Sequence, residues 1–450
     1  MAGGLRTRRE RPNLIVFLTD DQRGEALGCM GNRILRTPRV DRLAGEGSVF
    51  ANNFATTAIC MSSRASILTG LYSHSHGIND FSASLSGPQL AATYPYLLRK
   101  SGYRVGLVGK WGVGALPPQE DFDYLDVFPG QGHYFPTAGK PRHLTAIQEE
   151  SALSFLADCR SDEPFCLSIS FKAPHVQDED ARQFLYDPRD AGLYAKACIP
   201  VPRTASDRHF RNLPACVRES EGRRRWEIRF NTPDRFQESV KGYYRLIHGV
   251  DQAVGAVRNE LSRRGLAGNT ILIFTSDNGF FLGEHGLAGK WLMFEESIRT
   301  PLIVYDPREV AGRGGRRFEE MTLNIDLAPT ILELAGLTPP AAMQGRSLWP
   351  FLSGRRPAVW RRDWFYEHRF RHPRIPQTEG LRTERWKYVR YVDREPVIEE
   401  LYDLGQDSGE ERNLIDRREY TPRVDKLRAR YDRYRASLEN WRPDRPWVEP

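Results

Sequence analysis

Three times along the chain a helical pattern runs directly into a short apolar stretch, and this alternation constrains the fold more than any other feature. Helical spacing over 94–100 precedes Val105-Gly106-Leu107-Val108, and 144–159 precedes Phe165-Cys166-Leu167-Ser168-Ile169. The long amphipathic segment 240–263 precedes a β-rich run at 270–275. An earlier apolar run, 13–19, is followed by Thr37-Pro38 ahead of Val40 and Leu43, a cap-and-proline helix start, and 327–335 is helical again. Strand-then-helix units of this kind predict an α/β chain built on an open sheet.

Between these units, 177–232 carries many charges, prolines and arginines and reads as an irregular insertion near a substrate mouth. Beyond Leu352-Ser353-Gly354 the composition turns to Trp, Tyr and Arg, with strand-like runs at 364–366 and 386–391 and a terminal helix near 420–438. The expected division is therefore a catalytic domain over 1–355 and a smaller unit over 356–450. A chain of 450 residues that is 40% hydrophobic and 11% aromatic can bury one large core with such a satellite.

The balance of 65 basic and 58 acidic residues, +7 overall, gives a mild positive field suited to anionic substrates and predicts no nucleic-acid partner. Cysteines 29, 60, 159, 166, 198 and 216 form no Cys-x-x-Cys pair and no zinc-like spacing with histidines, which argues against a disulfide framework or a structural zinc. Residues 1–11 are polar and arginine-rich, and the first apolar run, 14–18, is too short for a signal-peptide core or a membrane span. Read as written, the chain is expected in the cytoplasm, or in the periplasm or secreted if its start has been trimmed.

Two acidic pairs follow apolar runs. Asp20-Asp21 ends the first, and Asp277-Asn278-Gly279 ends the run 271–276. In open α/β sheets ligands gather beyond the carboxyl ends of strands, so both pairs could meet on one cation, and an all-oxygen set favours calcium or magnesium. A helix cap and an Asp-Asn-Gly turn account equally for either pair alone.

The segment Cys60-Met61-Ser62-Ser63-Arg64-Ala65-Ser66-Ile67-Leu68-Thr69-Gly70 puts a thiol at the mouth of a short helix closed by glycine. A helix N-terminus attracts anions, and Arg64 adds a planar cation one turn on. On residue types alone, Cys60 reads as well as a small buried hydrophobe and Arg64 as a surface charge.

This segment resembles the signature of type I sulfatases of the alkaline phosphatase superfamily, Cys-x-Pro-Ser-Arg followed by Leu-Thr-Gly. Asp20, Asp21, Asp277 and Asn278 match that family's metal ligands. The resemblance implies a large mixed sheet flanked by helices, with a smaller C-terminal α+β subdomain of antiparallel sheet plus helix. It also implies that a formylglycine-generating enzyme oxidises Cys60 to formylglycine, which acts as nucleophile and joins the four carboxylate and amide side chains around one calcium ion. Ser62 stands where the modifying enzyme usually meets proline.

By the same likeness, Arg64, Lys110 in Gly109-Lys110-Trp111-Gly112 and Lys290 steady the sulfate, and His175 in Ala173-Pro174-His175 serves the leaving oxygen. Gly112 stands where the family usually has a histidine, and His133 is the expected substitute. His285, His76, His368 and Arg382 are the expected substrate contacts, with residues of 367–387 overhanging the pocket. The implied reaction is hydrolysis of an organic sulfate monoester, with a sulfated carbohydrate such as a 6-O-sulfated amino sugar as substrate. A phosphonate monoester or phosphodiester hydrolase on the same scaffold is one alternative. A silent sulfoglycan-binding protein, suggested by Gly112 and Ser62, is another.

Overall fold

The computed structural model describes residues 11–136, 142–308 and 314–450; the arginine-rich start, up to residue 10, lies outside them. Fifteen strands are present among the described residues: β1 (Asn13–Asp20), β2 (Ser48–Phe54), β3 (Arg104–Lys110), β4 (Tyr124–Phe128), β5 (Phe165–Pro174), β6 (Thr270–Ser276), β7 (Phe281–Leu282), β8 (Ala288–Gly289), β9 (Arg299–Thr300), β10 (Leu302–Tyr305), β11 (Arg316–Leu323), β12 (Asp363–His368), β13 (Thr378–Thr383), β14 (Trp386–Tyr391) and β15 (Ile398–Asp403).

Nine of them form one mixed sheet in the order β11-β2-β10-β6-β1-β5-β3-β4, with β9 paired to β2. Period-two alternation on β1 sends Ile15 and Phe17 to one face and Leu14 and Val16 to the other, and each pair belongs to a separate buried cluster. The first cluster takes apolar residues from helices Pro38–Glu46, Leu144–Ala157 and Pro233–Arg263, and the second from Cys60–Thr69, Tyr94–Lys100 and Leu327–Leu334. The sheet is therefore covered on both sides, as its nearly continuous apolar strands require.

β12 to β15 make a separate antiparallel sheet in sequential order, against which the helix Thr421–Glu439 packs Val424, Leu427, Tyr431 and Tyr434. The expected α/β architecture with a smaller antiparallel sheet and helix is the one observed. Within 177–232 the chain is less irregular than its composition suggests, since Asp207–Arg211, Ala215–Arg218 and Glu221–Arg229 are helical. The helix read at 240–263 begins at Pro233, behind a Thr232 cap that accepts from the Arg235 amide at 3.2 Å.

Strand direction matters most for the site. β6, β1, β5, β3 and β4 are adjacent and mutually parallel, so their carboxyl ends lie along one edge. Thr19 is level with Ser276, Asp20 with Pro174, and Lys110 with Phe128. Gly109 turns the chain into that edge with φ of 98°, and a Cβ there would collide with the Ser170 carbonyl and the Gln148 amide. Gly109→Ala is accordingly expected to destabilise the protein by about 2 kcal/mol or more. Denaturant unfolding measures this, and an unchanged midpoint would contradict the close approach.

Candidate active site

Each of the five parallel strands delivers a polar residue to the shared edge: Asp277 after β6, Asp20 at the end of β1, His175 after β5, Lys110 at the end of β3 and Gln131 beyond β4. Asp20 has no exposed surface. Its Oδ2 accepts from Lys110 Nζ and, at 3.2 Å, from Arg64 Nη2. Arg64 is fully engaged: Nε donates to Asp277 Oδ2 at 2.9 Å, and Nη1 to the Lys110 carbonyl at 3.0 Å and to Ser170 Oγ. Asp21, in the left-handed region with φ of 66°, receives Asn278 Nδ2 at 2.6 Å and Lys290 Nζ on Oδ1, while its amide donates to Asp277 Oδ1 at 3.1 Å.

Cys60 opens the helix Cys60–Thr69, whose ten residues are all buried and whose end is capped by Gly70 with φ of 70°. Ser63 Oγ ties this helix to the Asp277 carbonyl, and Asn324 Nδ2 donates to the same hydroxyl at 2.8 Å. Cys60 and Arg64 lie one helical turn apart on this helix. Gln131 Nε2 lies 3.9 Å from Cys60 Sγ, and its Oε1 accepts from Lys110 Nζ at 2.6 Å. Ser62 Oγ donates to the Ile78 carbonyl at 2.5 Å.

Burial and charge set the ionisation. Burial opposes ionisation of Asp20, but Lys110, then Arg64 and Lys290, outweigh it and hold this carboxyl well below the usual carboxylate range. Burial raises Asp21 against the pull of Lys290. Burial and then the Asp20 charge lift Asp277 from 3.8 to about 6. Burial pushes His175 well below its ordinary value. Its Nδ1 lies 2.7 Å from the Val176 carbonyl, which only accepts, so Nδ1 carries the proton and Nε2 faces Asp21 Oδ2 at 3.6 Å.

Asp20, Asp21 and His175 bring ligand atoms within 4.8 Å of one another. Asp20 Oδ1 and Asn278 Oδ1 are buried without any hydrogen-bond partner, the condition expected of oxygens meant for a cation. The buried Asp20, Asp21 and His175 cluster could hold a metal ion, and the two unpartnered oxygens are hard donors of the kind calcium takes.

The remaining expected residues are placed unevenly. His368, at the end of β12, is fully buried and both its ring nitrogens lack partners. Its strand docks beside residue 60, since the Glu367 amide donates to the Thr56 carbonyl at 3.0 Å and Tyr366 Oη accepts from the Ala58 amide at 3.3 Å. His133 is exposed and pairs with Glu179 Oε1 at 3.1 Å. His76 is buried between Ser66 Oγ at 3.1 Å and the Ile78 amide at 3.0 Å, a local brace of the signature helix. His285 packs with its ring centroid 4.7 Å from that of Phe294, and Glu284, His209, Glu411 and Lys387 are its titratable neighbours. Arg382 is held by Glu295, Nε to Oε1 at 3.0 Å, and lies over the Phe54 ring.

Sequence reasoning did not single out Gln131, Ser170 or Lys172. Lys172 is buried and donates to the Val176 carbonyl that also orients His175, at 3.1 Å; burial and then Lys110 lower it to about 8. No local pattern marks Gln131, whose place depends on the pairing of β4 with the strand ending in Lys110.

Charged strand tips around a thiol on a sheet of this topology define an enzyme of the alkaline phosphatase superfamily. The Sulfatase family profile matches residues 12–337, and the chain belongs to that family of sulfuric ester hydrolases. A second profile, N-sulphoglucosamine sulphohydrolase, C-terminal, matches 283–437. The N-acetylglucosamine-6-O-sulfatase of Bacteroides thetaiotaomicron is 29% identical, covering 97% of this chain and 88% of its own. A solved structure of a protein in complex with its substrate D-glucosamine-2-N,6-O-disulfate has a TM-score of 0.82 at 28% identity over 96% of this chain and 99% of the other. A phosphonate monoester hydrolase from Silicibacter pomeroyi shares the fold, with a TM-score of 0.79 at 23% identity over 95% of each chain.

The electrostatics predict how a cation affects stability. Because Asp277 is raised from 3.8 to about 6 in the fold, the folded chain keeps a proton that the unfolded chain releases, and stability falls as pH rises through that window. A divalent ion replaces the proton, so calcium is expected to stabilise more above pH 6 than below it, by about 3 kcal/mol at a hundredfold excess over its Kd. Thermal unfolding with and without calcium across this range checks the sign. A larger effect on the acid side would contradict it.

Proposed function

We propose that this sulfatase hydrolyses a sulfate monoester on a carbohydrate, foremost a 6-O-sulfated amino sugar, with residue 60 as formylglycine and one calcium ion in the site. The observation that supports this reading is the buried cluster of Asp20, Asp21, Asp277, Lys110, Lys290 and Arg64, to which Gln131 links Cys60 through Lys110. Asp20, Asp21, Asp277 and Asn278 would hold calcium together with residue 60, and the ion would supply positive charge beside the nucleophile and the sulfuryl oxygens. Were residue 60 converted to hydrated formylglycine, it would supply one hydroxyl as nucleophile toward sulfur and a second whose deprotonation would let sulfate leave with return of the aldehyde.

The chain's own side chains do the rest. Arg64 and Lys110 are already oriented by Asp20, Asp277 and the Lys110 carbonyl, so they meet an incoming sulfate with little reorganisation. Lys290 adds a third cation from the far side of Asp21. His175, with Nδ1–H held on Val176, keeps Nε2 free for the leaving oxygen, and the negative charge of the ester favours the protonated ring that this step requires.

Support for a sugar comes from the sulfatase relatives, and His368, fully buried with both ring nitrogens unpartnered, is a proposed contact. On this reading residues 356–450 form a subdomain that supplies one wall of the pocket. His133, His285, His76 and Arg382 remain proposed contacts, of which Arg382 must first loosen its Glu295 pair.

Protein coexpressed with a formylglycine-generating enzyme is expected to release sulfate from N-acetylglucosamine-6-sulfate. Cys60→Ala should lower the rate by roughly a thousandfold or more, and chelation should suppress it. Mass spectrometry of the residue-60 peptide establishes maturation. Fully matured protein that releases no sulfate from any sulfated sugar would contradict the proposal, and preferential hydrolysis of an aryl phosphonate would favour the phosphonate monoester reading that the shared fold suggests.

A further inference from the structure

We infer that Gln131 is the side-chain donor that positions the group on residue 60, in place of any side chain at position 112. The inference rests on the sulfatase reading of this pocket. Gly112 has φ of 71°, and a Cβ there would lie 2.8 Å from Arg64 Cδ and 3.4 Å from Lys110 Cε. Arg64 cannot give way cheaply, because its guanidinium is fixed by Asp20, Asp277, Ser170 and the Lys110 carbonyl. Position 112 therefore has no room for a functional group.

Gln131 reaches Lys110 and Cys60 from the loop beyond the neighbouring strand β4. Gly130 and Gly132, with φ of 63° and 65°, flank it, and a Cβ at Gly132 would strike the Phe128 ring. This tight loop turns Gln131 inward and leaves His133 outside on Glu179. The orientation of the amide follows from chemistry. An ammonium only donates, so Oε1 must face Lys110 Nζ at 2.6 Å, and Nε2 is then directed at Cys60 Sγ, 3.9 Å away. One planar group thus links the sulfate-binding lysine to the nucleophile.

The role is limited by the same chemistry. An amide does not titrate near neutral pH, so Gln131 orients and stabilises an oxygen on residue 60 without taking its proton. Loss of a preorganised donor of this type costs about 100-fold in kcat where the donor faces the reacting oxygen, and more modestly where it only orients the group.

Gln131→Glu separates the two contacts of this side chain, because a carboxylate keeps the acceptor for Lys110 and removes the N–H toward residue 60. With formylglycine content equalised by mass spectrometry, Gln131→Ala and Gln131→Glu are both expected to lower kcat on a small aryl sulfate by about tenfold or more. The Glu variant is expected to match or exceed the thermal midpoint of the parent. A Glu variant with kcat within about twofold of the parent would overturn the inference, since the Lys110 contact alone would then explain the residue. If matured parent protein releases no sulfate, the sulfatase reading fails, and Gln131 is judged by calorimetric binding of inorganic sulfate. The Ala and Glu variants should each weaken that binding about tenfold, and unchanged affinity would overturn the inference.

Discussion

The Asp20 carboxylate stands at the centre of this molecule both structurally and chemically. It lies at the tip of a strand in the middle of the large sheet, with no solvent, and an isolated charge there would cost several kcal/mol. Lys110 from two strands away and Arg64 from the signature helix compensate it, and Arg64 carries the balance on to Asp277. Removing Arg64 would leave Asp20 with Lys110 but deprive the buried Asp277 of its cation, a loss of about 3–5 kcal/mol in comparable settings. The contacts that hold these strand ends together are therefore the ones that shape the site.

Three carboxylates, Asp20, Asp21 and Asp277, face three cations, Arg64, Lys110 and Lys290. A divalent ion added to that balanced set makes the pocket positive, the sign that a sulfate ester requires. Rigidity follows from burial: the helix bearing residue 60 is enclosed along its whole length, and the parallel register fixes the four strand ends beside it. Such a site does little rearranging when charge develops, which is the usual source of electrostatic catalysis.

Much of this was legible in the sequence, for identifiable reasons. The apolar runs before Asp20 and Asp277 mark central strands, and the polar residues that stop them are the ones at the site. The run at 386–391 coincides with β14, because alternating Trp, Tyr and Val leave little other choice. β2 was hidden by Asn52 and Asn53, which break the apolar pattern; buried Asn53 is satisfied by Thr300 and Thr322, partners more than 240 residues away. The first turns of Pro233–Arg263 were hidden by their polar residues. Residue type favoured His133 over Gln131, but the outcome depends on two left-handed glycines and a neighbouring lysine, which no local pattern reveals. Arg382 reads as a free cation until Glu295 is brought beside it by tertiary packing.

The account depends on the acidic strand ends and residue 60 sharing one divalent ion. Anomalous diffraction from crystals of matured protein grown with calcium and then exchanged to manganese tests this directly. The expected peak lies at about 2.0–2.6 Å from oxygens of Asp20, Asp277 and Asn278 and next to the side chain at position 60. A metal peak elsewhere, with these oxygens free of any ion at saturating concentration, would contradict it.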